Sequence, residues 1–473
     1  MLDLIIIGAG PAGVFAALRA AALGARTALI TRDEFGGMAA NDGPVPVRTL
    51  AQAARLIREA RQLGMFGIAV SEPVLNYPQL LERVRTVVND VRSHSALRSQ
   101  IDSLQVTVHE HAGTARFVDP HTVETESGLR LQAKKIIICT GGVSRRLPIP
   151  GFEFTATHSD AWSLTSVPSS MLVIGGGATG AQVASIFNAF GSRVELFEAG
   201  PRILATEDED VSTVVADAFR ASGILVHENF GKITSFEKTS NGVCMIFSKD
   251  EIPGNAEAQL VVAAVGWAAN TATLNLSIAG VEIDHRGFVR VDPYLRTSAP
   301  HVFAAGDVTG RMMMLVPQAT QDGFVAATNA VRSAKKVSGS PVNPIGSFTD
   351  PEYAQVGLSE KKAREKRDVV TAVVGFDSTT RTIIDGRTNG FCKLIVDRAT
   401  FKILGCHVVG ERAVEITQVA AIAIAAGMRV DDLAQVPLSF PTYTAILGRV
   451  AASAARQLNL KVAWQANHAE DAA

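Results

Sequence analysis

Apolar residues arrive in short unbroken runs that alternate with longer amphipathic stretches. The run "LDLIII" at residues 2–7 reads as a strand buried on both faces. It leads into the turn "GAGPAG", and "VFAALRAAAL" then continues with helical spacing as far as Gly24. "TALIT" completes the unit as a second strand. The same order recurs in "MLVI", "GGGATG", "AQVASIFNAF", Gly191 and "RVELFE". Gly8 precedes Thr31 by 23 residues, and Gly175 precedes Glu198 by the same 23. The pattern predicts two copies of one βαβ dinucleotide-binding unit in tandem.

Between the copies lie a helical stretch at residues 47–95, several short strands and "KKIIICTGGVSRRLPIPG". After the second copy, a strand-and-turn passage ends in "HVFAAGD". "KKVSGSPVNP" at 335–344 has the Ser, Pro and Gly content of a linker. Strand patterns then mix with the apolar helix "AVEITQVAAIAIAAGM". The expected fold class is α/β, with two Rossmann-like domains and a C-terminal α+β domain. The expected division is 1–150 and 276–335 for the two parts of the first domain, 151–275 for the second, 345–460 for the third, and a polar tail at 461–473.

Composition narrows the function. The 473 residues are 47% hydrophobic and 19% charged, as in an ordinary globular chain. Lys plus Arg number 45 against 46 for Asp plus Glu, which gives no basic footprint for nucleic acid or an anionic membrane surface. No apolar run reaches the ~18 residues of a membrane span. The N-terminus lacks the basic and long apolar regions of a signal peptide. Cys139, Cys244, Cys392 and Cys406 are scattered and form no CxxC pair, so a cytoplasmic location is expected rather than a disulfide framework. No metal-ligand spacing and no Ser–His–Asp order stands out.

The chemistry therefore rests on the glycine turns. In the first, Gly8 and Gly10 let the turn tighten and the backbone approach a pyrophosphate, and Gly13 admits close packing of helix on strand. Pro11 and Ala12 open the helix whose N-terminus faces the anion. Gly175, Gly177, Thr179 and Gly180 repeat this in the second turn. Glu198, at the end of the second strand, suits a ribose diol and repels a 2′-phosphate. It favours NAD, while Arg202 nearby leaves NADP open. Thr31 holds the equivalent place in the first unit, with Arg32 beside it as a phosphate partner. Spacing alone does not say which cofactor this first site takes.

"GAGPAG", "CTGGVSRRLPIPG", "GGGATG", "AAVGWAAN", "VDPYLRTSAPHVFAAGD", "FTDPEYAQVGLSEKKARE" and "GFCKLIVDRATFKILGCHVVG" follow one another in that order. The series resembles the pyridine nucleotide–disulfide oxidoreductases of the lipoamide dehydrogenase, glutathione reductase and mercuric reductase group. The resemblance implies FAD at the first site, NAD(P)H at the second, and a homodimer made by the C-terminal domain. It implies that Asp307 binds the flavin's ribityl chain, that Thr140 and Gly141 lie against FAD, and that Gly113 lies near the adenine. It adds Gly37, Arg48, Gly306 and Gly266 to the cofactor-binding residues. Asp307 also suits a helix N-cap in "GDVTG".

Departures from the family pattern set the functional expectation. Residues 36–48, "GGMAANDGPVPVR", match a family segment of form GGTCxxxGCxPSK, and the two cysteine positions hold Ala39 and Pro44. The family's C-terminal His–Glu motif becomes "SFPTYTAILG", with Phe440 for the histidine and Ala445 for the glutamate. Its flavin-side Lys–Glu pair becomes Arg48 and Gln182, and its gating tyrosine becomes Ala178. Without thiolates a disulfide relay has no chemistry. The sequence thus points to an FAD-dependent NAD(P)H oxidoreductase that passes electrons from flavin to a small non-disulfide acceptor such as a quinone. The flavin is then its only redox centre, with Arg48 and Gln182 beside it and Tyr443 and Thr444 as partner-subunit candidates. The alternatives are a non-catalytic FAD/NADH-binding sensor or interaction module, an NADH oxidase and a transhydrogenase. His407, Cys139, Cys392 and Cys406 read as structural.

Overall fold

The computed structural model describes residues 1–93, 96–311, 314–339 and 342–462. Most of the expected polar tail, and residues 340 and 341 of the expected linker, lie outside them.

Leu2–Ile7 becomes the centre of a seven-stranded sheet because its side chains are apolar on both faces and both faces are covered. It pairs in parallel with Thr27–Ile30 on one side and Arg130–Ile138 on the other. Val302–Ala304 joins Arg130–Ile138 in parallel, so the chain returns to this sheet after building the second unit. Helix Pro11–Ala22 starts with proline at its first position, where no N–H is missed. It lies tightly on helix Val316–Arg332: a Cβ at Gly323 would stand 2.0 Å from the Ala12 carbonyl oxygen.

The second unit is a four-stranded parallel sheet in the order Leu225–Glu228, Arg193–Glu198, Ser170–Ile174, Leu260–Ala263. A three-stranded antiparallel meander over residues 232–258 packs beside it. The C-terminal part is a five-stranded antiparallel sheet, and strands Phe391–Asp397 and Ile403–Val409 lie at its core. Helices Ala413–Ala425, Val430–Gln435 and Ala445–Gln457 cover it. The architecture is α/β, with two Rossmann-like units and a C-terminal α+β domain. Among the described residues no helix is long and apolar enough to cross a membrane.

Lys393 locks the second unit to the C-terminal sheet. Its side chain is 3% exposed, and its ammonium lies 3.1 Å from Asp208, 2.6 Å from Asp210 and 2.6 Å from Glu360. Burial opposes the charge, but three carboxylates outweigh it and hold the lysine pKa above its usual value. His407 is buried beside this cluster with Nε2 3.0 Å from the Leu358 carbonyl oxygen. Cys392 and Cys406 are buried in the same sheet.

Candidate functional site

Both glycine turns sit at the C-terminal ends of parallel strands. Gly8 has φ +107°, and a Cβ there would stand 2.3 Å from the Cys139 carbonyl oxygen. The turn therefore lies directly on the end of the neighbouring strand. Helix Pro11–Ala22 begins at Gly10 and helix Ala178–Ala189 at Gly177, and neither start has a side-chain cap. Their first N–H groups are thus available to an anion. A Cβ at Gly177 would meet nothing, so the second turn has open backbone.

The first turn opens into a cavity of about 920 Å³. Gly8, Gly10, Pro11, Ala12, Thr31, Arg32 and Gly113 line it. So do Thr140, Gly141, Gly306 and Asp307. Gly37, which packs against Gly10, lines it too, with Arg48, Ala178, Thr179 and Gln182. Gly13 lies behind the turn, where a Cβ would stand 1.7 Å from the Gly8 carbonyl oxygen. Gly175, Gly177, Gly180, Gly266 and Glu198 do not line this cavity.

Asp307 opens a short 3-10 helix but gives no side-chain cap, so the N-cap role expected for it is absent. Its carboxyl faces the cavity and makes no hydrogen bond among the described residues; burial, then the charge of Asp322, pushes its pKa up. A buried acceptor without a donor fits a polyhydroxyl chain. Thr31 does not offer its hydroxyl to the cavity, because Oγ1 donates to the Glu34 carbonyl at 3.3 Å. Arg32 pairs with Asp33 at 2.7 Å on the surface. Thr140 Oγ1 donates to the Asn270 carbonyl at 2.8 Å, which fixes the strand end under the cavity.

Residues 36–48 make the short helix Gly37–Asn41 and the start of helix Pro44–Gln62. Asn41 Nδ2 donates to the carbonyls of Phe35 and Gly37 at 3.2 and 3.0 Å and shapes the bend. Met38, Ala39, Pro44 and Val47 present carbon and sulfur to the cavity. Cys139 alone among the described residues brings a thiol to the lining; it is buried, and burial pushes its pKa far up.

Arg48 and Gln182 are joined through Phe348 rather than to each other. The Arg48 guanidinium stacks 3.0 Å from the centroid of the Phe348 ring, and Gln182 Oε1 accepts from the Phe348 N–H at 3.4 Å. Burial lowers the Arg48 pKa, and Glu352 and Glu415 oppose that.

At the second turn Glu198 Oε2 accepts from the Gly176 N–H at 2.7 Å and Oε1 from the Gly200 N–H at 2.6 Å. The carboxylate first holds its own loops together, and each oxygen keeps a further lone pair for a ribose. The guanidinium of Arg202 is spent on the carbonyls of Leu204, Ala205 and Glu207, at 3.3, 3.3 and 3.0 Å. It is therefore not a free phosphate partner.

Near the C-terminus Phe440 is 77% exposed, and Tyr443 donates its hydroxyl to Asp385 at 2.6 Å. Thr444 precedes the last helix without capping it. None of the three lines the cavity of this chain. Sequence reasoning overlooked one group on the cavity wall: Asp42, His158, Ser159, Trp162 and Trp267. Among the described residues no group of three or more His, Cys, Asp or Glu is placed to hold a metal.

Comparison with known proteins agrees with this geometry. Residues 2–323 match the model of the pyridine nucleotide-disulphide oxidoreductases, and residues 343–450 match that of the same family's dimerisation domain. A mercuric reductase of Bacillus cereus is 32% identical over 438 residues, covering 91% of this chain and 68% of the relative. A dihydrolipoyl dehydrogenase of Chlamydia trachomatis serovar D is 32% identical over 431 residues, covering 89% of this chain and 90% of the relative. The solved structure of the HOCl-induced flavoprotein disulfide reductase RclA from Escherichia coli superposes with a TM-score of 0.85 at 25% identity, covering 95% of this chain and 99% of that one. The chain is thus a member of the pyridine nucleotide-disulphide oxidoreductase family, a flavin-dependent enzyme that binds FAD and NAD(P)H.

Proposed function

We propose that this enzyme uses NADH to reduce a small non-disulfide acceptor, of quinone type, directly from its flavin. One observation carries the reading: the wall from Gly36 to Arg48 holds no thiol, and the one thiol that reaches the lining is sealed. A disulfide substrate needs an accessible thiolate to attack it, and this site offers none.

The proposed roles follow from the wall. The open N–H groups of helix Pro11–Ala22 hold the FAD pyrophosphate, and Asp307 accepts hydrogen bonds from the ribityl hydroxyls. Thr140 and Gly141 support the ring system and Gly113 the adenine end. Arg48 keeps a positive charge beside the ring, and its seat on Phe348 holds it still. Helix Ala178–Ala189 receives the NADH pyrophosphate, Glu198 the adenosine ribose. Ala178 leaves space where a nicotinamide must approach. The engagement of Arg202 with three carbonyls favours NADH over NADPH. When bound, FAD supplies the two-electron redox chemistry, and the protein supplies position and polarity. The expected working form is a cytoplasmic homodimer.

The decisive experiment is an anaerobic NADH titration of the purified holoenzyme followed by flavin absorbance. Bleaching complete at one NADH per FAD, with no long-wavelength thiolate band, is the expected result. A need for two equivalents reveals a second redox group and defeats the reading.

A further inference from the structure

The wall that carries no thiol does carry one carboxylate. Asp42 ends the short helix Gly37–Asn41. Ser159 Oγ donates to its Oδ2 at 2.5 Å, and Trp162 Nε1 donates to its backbone carbonyl at 3.2 Å. His158 Nε2 stands 3.8 Å from the same Oδ2. The imidazole is held edge-on between two indoles, with ring centroids 6.2 Å from Trp162 and 5.3 Å from Trp267. A capping box of Thr157 and Asp160 starts the helix and fixes His158 as its first residue. All five side chains line the cavity beside Ala39 and Pro44.

This arrangement has the parts of an acid–base pair: a carboxylate linked to an imidazole through the Ser159 hydroxyl, and an imidazole at a cavity wall. His158 is 5% exposed, whereas the Asp42 side chain is 36% exposed, so the ring faces inward and its partner reaches water. His158 Nε2 meets Ser159 Oγ at 3.5 Å, so Nδ1 is the ring nitrogen left for the cavity. The titratable groups that face the ring are Asp42 from the wall and Asp160 from its own helix. Burial holds the His158 pKa below its usual value, and the two carboxylates offset it only in part.

We propose that His158, oriented by Asp42, gives the proton that an electron acceptor of planar dione type takes up, and that Trp162 and Trp267 frame the seat of that acceptor. The inference rests on direct transfer to a quinone-like acceptor and names its acid. A dione becomes a hydroquinone by taking two electrons and two protons. NADH supplies the equivalent of a hydride, two electrons and one proton, through the enzyme's established cofactors. The second proton leaves Nδ1 of the imidazolium as the new O–H bond forms, Nε2 keeps its proton on the Asp42 side, and water reprotonates Nδ1 from the cavity once the product has left. The net change is dione plus NADH plus one proton to hydroquinone plus NAD⁺.

The test compares wild-type, H158Q and D42N holoenzymes, each checked for FAD content, with 1,4-benzoquinone as the probe. Reoxidation of the NADH-reduced enzyme is followed anaerobically against pH. Wild-type reoxidation is expected to accelerate as pH falls. H158Q is expected to lose about 10²-fold or more at low pH and to show a flat profile. D42N is expected to keep the profile with its midpoint moved down by about one pH unit, since a negative neighbour has gone. A second readout needs no turnover: an imidazolium quenches a nearby indole, so wild-type tryptophan emission is expected to fall on acidification and the H158Q emission to stay level. Equal reoxidation by wild type and H158Q at every pH overturns the role of His158 while direct transfer stands. Wild-type reduced enzyme that is inert to benzoquinone yet reoxidised by a disulfide such as oxidised lipoamide removes the direct-transfer reading, and the proposed acid with it.

Discussion

Replacing Gly180 by alanine tests the assignment of the second turn to NADH with one methyl group. An alanine Cβ would stand 1.8 Å from the Gly175 carbonyl oxygen, where ordinary contact begins at 3.4 Å. The obstruction is backbone, so no side chain can rotate away, and the helix must part from the strand end. Overpacking of this kind costs about 1–3 kcal/mol. The helix also carries the uncapped N–H groups, and moving it withdraws at least one charge-assisted hydrogen bond worth about 1.5–3 kcal/mol. At about 1.4 kcal/mol per decade, NADH affinity is expected to fall about 10- to 100-fold. FAD should be retained, because the first turn is untouched. The measurement is FAD content by absorbance, then an anaerobic NADH titration. G13A serves as the converse, since its Cβ would stand 1.7 Å from the Gly8 carbonyl oxygen, and it should purify without FAD. If G180A keeps its FAD and binds NADH as tightly as wild type, the nucleotide does not sit on this turn.

Three further expectations concern charge and thiols. K393M leaves Asp208 buried without its cation and should destabilise the dimer by about 3–5 kcal/mol in calorimetry at fixed protein concentration. The lysine pKa is raised and those of Asp208 and Glu360 are lowered, so the deficit should be constant from about pH 6 to 9 and shrink as acid protonates the carboxylates. A deficit that grows towards acid contradicts the assignment. Glu207 is buried, and burial pushes its pKa up to about 7. Its folded state binds the proton more tightly than the unfolded state does. Wild type should therefore lose stability relative to E207Q as pH rises from about 4.5 to 7, by roughly 3 kcal/mol, and the difference should then level off. Finally, alkylation of the NADH-reduced enzyme with iodoacetamide should leave quinone reduction intact; loss of activity matched to one modified cysteine would point to a working thiol.

The tandem units were legible because a glycine turn, a helix and a strand end are written within 23 residues, where local geometry sets the residue type. The place of Asp307 needed a resemblance, since nothing near "AAGD" indicates which cavity it faces. Arg202 was legible as a charge, but its engagement depends on where residues 204–207 fold back, which no periodicity records. The same holds for Thr31, turned to a carbonyl three residues on. His158 was not legible at all. Its orienting carboxylate, shared with Ser159, lies 117 residues from that serine along the chain, and only the fold brings them together. Lys393 sits in "FCKLIVD" like any strand residue, and two of its three partners come from a different domain.

A flavoenzyme that must serve two different molecules can rotate its domains between exchanges, or keep still and let the visitors come and go. Lys393 decides between these. A hinge opening between the nucleotide unit and the C-terminal sheet would pull the buried ammonium away from Asp208 and Asp210, leave it with Glu360 alone, and strand the buried carboxylate of Asp208. The cluster therefore ties the nucleotide unit to the C-terminal sheet. On the proposed reading, access to the flavin rests with small residues such as Ala178 and Ala39, which line the cavity.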